Sequence, residues 1–262
     1  MAYQPLVIRS NLKSTVLDDT AINKTMFDID HLSAITVAEC SDWIVINKPA
    51  GLSLHSEGNE PGLVEQIKQR LSLNYLAPVH RLDKVTSGCL LLAKHPESAS
   101  WLSKQFQNRQ VEKYYLALTA GKPKKKQGSI IGDMVPARNG NYKLTQSKNN
   151  SAITQFFSYG LSEGIRLVIV RLLTGKTHQI RVALKSISSP ILGDERYGSS
   201  QSNISIDRCY LHAYQLTFDD LAGNRKTVSC LPLTGERFTQ SIFKQAIKDV
   251  SVDQLAWPKT RN

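Results

Sequence analysis

The spacing of apolar positions changes several times along this chain, and each change marks an element. Residues 34–46 carry the β-branched and aromatic bias of strands, and Asn47-Lys48-Pro49-Ala50-Gly51 ends that run with turn chemistry. Leu63, Ile67 and Leu71 then recur at fourfold spacing behind Pro61, which predicts a helix over Pro61–Leu71. Gly88–Ala93 is a short, continuous apolar run and reads as a buried strand. A second helix is predicted over Pro96–Gln107, with Pro96 in its first turn and Trp101, Leu102 and Phe106 on one face.

Beyond that helix the period drops to two. Tyr115, Ala117 and Thr119 share one face of a strand predicted over Val111–Ala120, and Tyr114, Leu116 and Leu118 share the other. Of the two tyrosines, Tyr114 is assigned to the core. Further strands are predicted over Ala152–Tyr159, Ile165–Leu173, Tyr210–Phe218 and Thr227–Leu231. A short helix is predicted over His178–Ile187 and a closing amphipathic helix over Arg237–Val250. Strands dominate, without regular strand–helix alternation, which implies an α+β fold built on a large, mixed, mainly antiparallel sheet with flanking helices. Residues 1–31 read as a weakly patterned leader, leaving residues 32–262 as one domain.

Composition sharpens this picture in three ways. The 262 residues, 41% of them hydrophobic, suffice for a substantial core. No apolar run is long enough to span a bilayer, and the polar N-terminus lacks the apolar centre of a signal peptide, so a cytoplasmic protein is expected. Cys40, Cys89, Cys209 and Cys230 are scattered with no C-x-x-C pair, so neither a metal site nor a disulfide framework is expected. A net charge of +11 attracts polyanions at long range. Lys122, Lys124, Lys125 and Lys126 cluster beside Gly121 and Pro123, as an RNA contact or as a solvated hairpin tip. Aromatic content of 7% argues against a module built on base stacking. With no heptad seam, a monomer is expected.

Candidate chemistry concentrates in three segments. Pro78–Lys94, PVHRLDKVTSGCLLLAK, places Asp83 behind Arg81 and ahead of Thr86, Ser87 and Gly88, just before an apolar run. A carboxylate at a strand or loop end, beside a glycine that permits close backbone approach, is placed to meet a substrate. Taken alone, an exposed acid in an Arg-containing loop is usually an ion-pair partner or a turn-former. Leu173–Leu184, LTGKTHQIRVAL, contains Gly175-Lys176-Thr177, but a phosphate-binding loop needs glycine at position 170, which is Val. Arg181 in that segment falls on the first turns of a helix, where it can pair bidentately with a distant carboxylate or simply face solvent. The third segment, Glu112–Ala117, is EKYYLA; a strand tyrosine there is packing or part of a site.

The ordered string His80–Gly88, HRLDKVTSG, resembles the H-R-L-D-x-x-T-S-G signature of the RluA-type pseudouridine synthases. The segment around Arg181 resembles that family's T-G-R-T-H-Q-I-R-V-H motif, and EKYYLA its K-x-Y-x-A strand. Ile46–His55, Ile191–Gly198 and Arg208–Ala213 resemble its N-K-P-x-G-x-x-x-H, L-G-D-x-x-Y-G and R-x-x-L-H-A segments, so the likeness covers about Trp43 to Phe218. Lys176 stands where the family usually has Arg, Ala183 where it often has His, and Val85 where an acid is common. The resemblance implies a catalytic domain that isomerises uridine to pseudouridine in structured ribosomal or transfer RNA, without cofactor. It implies Asp83 as the catalytic carboxylate, Arg181 as the cation that aims it, and Tyr115 against the uracil as a candidate base. His80, Arg81, Thr86, Lys176, Lys122, Lys124 and Lys125 are the accompanying candidates for RNA contact, His80 more as an anchor of its loop. The leader is expected to be too short for the RNA-binding domain that many relatives carry in front. Two rivals remain at this level: a non-catalytic RNA-binding protein on the same fold, and a carboxylate hydrolase, which usually needs two acids.

Overall fold

A computed structural model describes residues 29–162, 164–198, 206–248 and 250–259. The expected leader, residues 1–31, lies outside the described residues except for the turn Ile29–His31. The run over residues 34–46 is not one strand. Ala34 and Ile35 end a short helix, α1 (Leu32–Ile35), and the rest folds back as the hairpin β1 (Thr36–Glu39) and β2 (Trp43–Lys48). Helix α2 (Leu63–Arg70) starts after Gly62, with Pro61 just outside it. The two-residue β3 (Ala77–Pro78) and β4 (Ser87–Ala93) bracket the Asp83 segment.

Helix α3 (Pro96–Gln107) has the predicted bounds because both ends are specified. The His95 side chain accepts the Ser98 N–H, Pro96 fits the first turn, and Glu97 and Lys104 complement the helix dipole. It buries Ser98, Leu102 and Gln105, whereas Trp101, expected on the apolar face, is 39% exposed and donates to the Asp219 carbonyl. β5 (Glu112–Ala120) follows, then a hairpin absent from the apolar pattern, β6 (Gln127–Pro136) and β7 (Tyr142–Leu144). Gly128, Gly132 and Pro136 interrupt β6, and much of it is exposed, so no period-two signal survives.

β8 (Ser151–Ser162), β9 (Ile165–Leu172), α4 (Gln179–Ser186), β10 (Leu211–Asp219) and β11 (Arg225–Ser229) stand within a few residues of expectation. The closing helix does not form as one unit. It divides into α5 (Glu236–Thr239) and α6 (Ser241–Lys248) because Gln240 is extended, with ψ 145°.

Among the described residues, eleven strands form one sheet in the order β1-β2-β4-β10-β5-β9-β8-β6-β7, with β11 beside β10 and β3 beside β4. Its pairs are antiparallel except β4 with β10, giving the mixed, mainly antiparallel sheet of an α+β fold. Alternate residues of one strand enter different cores. Ile44, Ile46, Leu90 and Leu92 join the larger cluster with residues of α2 and α4, while Trp43, Val45, Cys89 and Leu91 join the one under α3. β5, covered on both faces, is buried from Lys113 to Thr119, so Tyr115 is as much a core residue as Tyr114. Each such large side chain contributes about 1.5–3 kcal/mol by leaving water. The parallel contact requires Gly88, with φ 111°, because a Cβ there would lie 2.2 Å from the Ala213 carbonyl oxygen. No helix among the described residues is long and apolar enough to cross a membrane.

Candidate active site

Asp83 opens a tight turn between β3 and β4, closed by the Thr86 N–H on the Asp83 carbonyl at 3.0 Å. The turn is held from below by the segment after β2. The Lys48 ammonium donates to the carbonyls of Pro49 (2.7 Å) and Lys84 (3.2 Å), and the Gly51 N–H donates to the same Lys84 carbonyl at 2.8 Å. Lys48 is fully buried, and its pKa falls to about 7. Burial is the main cause, with Arg208 adding repulsion and Asp83 opposing. Asp83, 18% exposed at its side chain, faces a cavity of 430 Å³ lined also by Arg81, Lys84, His178, Arg181 and Arg196. That volume suits a small organic group such as a nucleoside.

Arg181, on the first turn of α4, joins Asp83 to a second acid. Its Nη1 donates to Asp83 Oδ2 at 3.1 Å, while Nε and Nη2 donate to the two oxygens of Asp194, both at 2.8 Å. Asp194 is buried and also accepts the backbone N–H groups of Arg196 and Tyr197. The fork of the guanidinium is thereby fixed by Asp194, and an Nη1–H is turned to Asp83. These two carboxylates raise the pKa of Arg181 against the effect of its burial. The resulting site offers an oriented carboxylate, flanked by a locked cation, at the wall of an open cavity.

Tyr115, on β5, feels the charge of Asp83 but does not line the cavity. It is buried, and its hydroxyl makes no hydrogen bond with any described residue. Burial first, then the charge of Asp83, raises its pKa, so the setting holds the phenolic proton on rather than easing its loss. The expected assistance to a base role is therefore not provided in this state of the site.

The other sequence candidates separate into three groups. Arg81 is exposed, lines the cavity and has no ion pair or hydrogen bond with a described residue. His80 and Thr86 are internal supports and do not line the cavity. The His80 ring stacks on Phe106 at 4.6 Å, its Nε2 accepts the Leu91 N–H at 3.0 Å, and burial with the charge of Lys113 lowers its pKa to about 3. Lys176 donates to Asn150 Oδ1 at 2.8 Å, and Lys122, Lys124 and Lys125 are exposed on the β5–β6 turn; none of the four lines the cavity.

Four residues at the site were not singled out by sequence reasoning: Lys48, His178, Asp194 and Arg208. Lys48, Asp194 and Arg208 lie in the short matching segments INKPAGLSLH, ILGDERYG and RCYLHA, and the available signal was an ionisable residue among apolar neighbours. Arg208 donates to Ser87 Oγ at 2.7 Å and to the Thr234 carbonyl at 3.1 Å, supporting the start of β4. His178 has its Nε2 3.9 Å from Asp83 Oδ2.

Comparison with known proteins gives the family. The RNA pseudouridylate synthase family matches residues 42–186. An RNA pseudouridine synthase of Haemophilus influenzae is 50% identical over 210 residues, 80% of this chain and 92% of that one. The ribosomal large subunit pseudouridine synthase C of Vibrio parahaemolyticus is 28% identical over 221 residues, 82% of this chain and 69% of that one. The structure of human RNA pseudouridylate synthase domain containing 4 superposes with a TM-score of 0.65 at 26% identity, over 84% of this chain and 94% of that chain. The chain belongs to the RluA-type RNA pseudouridine synthases, isomerases that act on RNA.

Proposed function

We propose that this chain converts uridine to pseudouridine in structured ribosomal or transfer RNA, with Asp83 as the catalytic carboxylate and residues 32–262 as the catalytic domain. The observation that carries the assignment is the Asp83–Arg181 pair, 3.1 Å apart at the cavity wall, with Arg181 locked in turn by Asp194. The relative named for the ribosomal large subunit favours ribosomal RNA.

The reaction breaks the C1′–N1 bond, turns the uracil and joins C1′ to C5; C5 loses a proton and N1 gains one. Asp83 enters as a nucleophile, at C1′ or at the uracil ring, or as the base that takes a proton from C2′. A covalent bond to Asp83 would cancel the carboxylate charge, removing one of the causes that hold the proton on Tyr115, while burial remains. Tyr115 then becomes a better candidate for the final proton removal from C5 than it is in the resting site. A stacked nucleotide hides the bond that must break, so the uridine leaves the stack at a cost of a few kcal/mol. Arg81, exposed two residues before Asp83, is placed to stabilise the opened RNA, and Lys122, Lys124, Lys125 and Lys176 to meet phosphates. The protein acts as a cytoplasmic monomer in this reading.

The test uses ribosomal and transfer RNA transcripts carrying uridine tritiated at C5, incubated with wild type and Asp83→Asn without cofactor. Wild type should release tritium to water and the variant none, while both bind the RNA. Binding without release by wild type on every RNA would favour a non-catalytic binder, and free uracil among the products would favour a hydrolase.

A further inference from the structure

His178 stands beside the reacting carboxylate, and no step written above uses it. It precedes α4 with a left-handed backbone, φ 56° and ψ 18°. For a residue other than glycine this conformation is strained and persists only where the surroundings enforce it. The enforcing contacts are aromatic. Its ring stands edge-on to Tyr142 (5.9 Å, 90°) and to Tyr197 (5.5 Å, 72°). Nδ1 lies 2.9 Å from Tyr197 Oη, which itself accepts the Tyr142 backbone N–H at 2.9 Å.

These bonds assign the tautomer. Tyr197 is 2% exposed, so its own hydroxyl proton needs an acceptor inside the protein, and Nδ1 is within reach. The neutral imidazole therefore accepts at Nδ1 and carries its proton on Nε2, the nitrogen nearer Asp83. Burial favours this neutral form, with Arg181 and Arg196 on its side and the carboxylates of Asp83 and Asp194 opposing.

We propose that His178 is a further catalytic residue, whose Nε2–H donates to a carbonyl oxygen of the uracil held against Asp83. The proposal rests on the isomerase reading above, but not on which route Asp83 takes. Breaking C1′–N1 leaves the electron pair on the base, and attack at C6 drives electrons into the conjugated carbonyl. Either way negative charge grows on uracil oxygens, where a donor held in place by Tyr197 stabilises the transition state more than the ground state.

The experiment compares single-turnover tritium release by wild type, His178→Asn and His178→Gln on whichever RNA wild type modifies. Asparagine tolerates the left-handed backbone but reaches only as far as Nδ1. Glutamine fits that backbone less well yet carries an N–H out to the position of Nε2. The expected order of rates is wild type above Gln above Asn, with Asn slower by roughly a hundredfold at unchanged RNA affinity. The expected order of melting temperature places Asn at or above Gln. A residue with a merely structural role would give activities in the order of stabilities, which overturns the proposal. A second readout needs no variant: the nitrogen NMR spectrum of wild type should show His178 protonated at Nε2, and protonation at Nδ1 alone overturns the assignment. Failure of the isomerase reading itself would appear earlier, as absence of release by wild type.

Discussion

Arg181 divides its donors between two acids of different standing. Asp194 has a fully buried side chain and takes two of the N–H groups. Asp83 takes one and faces the cavity. Asp194 is therefore the positioning residue of the pair. Asp194→Asn should leave the guanidinium buried with one carboxylate rather than two, costing about 3–5 kcal/mol of stability. Tritium release should fall well below wild type while RNA affinity holds, since the exposed basic residues are untouched. Urea denaturation and a release assay on the same preparation check both halves, and unchanged release would mean Arg181 is aimed by Asp83 alone. A lysine in place of Arg181 would fare no better, because an ammonium lacks the fork that serves both acids.

At the scale of elements, β4 and β10 meet in the sheet's parallel contact; a buried neutral histidine on β10, His212, ties the two strands there, and a second, His80, holds β4 further along. His80 accepts the Leu91 N–H of β4. His212 on β10 bonds Ser87 at one nitrogen and the Cys230 carbonyl at the other, and burial takes its pKa, like that of His80, down to about 3. Both values lie below the ordinary 6.5, so the unfolded chain binds these protons first. Stability from the two rings is complete above pH 6.5 and is lost as pH falls toward 3. Replacing both with glutamine should flatten the slope of unfolding free energy against pH across that window, and an unchanged slope would mean other groups govern acid unfolding. These elements were largely legible beforehand, because β4, β5, β9 and α3 have strong apolar periods and specified ends. The β6–β7 hairpin was not, because its glycines and exposure erase the alternation, and neither was the break at Gln240, which no proline or glycine announces. The site was legible as Asp83, Tyr115 and Arg181 through the ordered motifs. Asp194 escaped because it sits in a turn, LGDERYG, whose composition reads as loop, and only the fold brings it to Arg181.

Over the whole molecule, a charge of +11 makes long-range attraction to RNA independent of any one contact. The exposed lysines of the β5–β6 turn test how much of that attraction becomes binding. Replacing Lys122, Lys124 and Lys125 together with alanine should reduce the slope of log affinity against log salt by roughly two, without moving the melting temperature. An unchanged slope would leave that turn as a solvated tip.

The bonds around Asp83 also carry a consequence for synthesis. Its turn is gripped early, by Lys48 and Gly51, but its guanidinium partner lies 98 residues further along the chain, and Gly88 rests on Ala213. At a translation speed of about 5–20 residues per second, the nascent chain carries an unpartnered Asp83 for several seconds. The strand that completes its sheet neighbourhood emerges later still. During that interval the basic surface can already meet RNA while the carboxylate has no aim. A ribosome-bound fragment ending before Arg181 would hold RNA by charge alone, so modification of uridine must wait until Arg181 and the strand carrying Ala213 have left the tunnel.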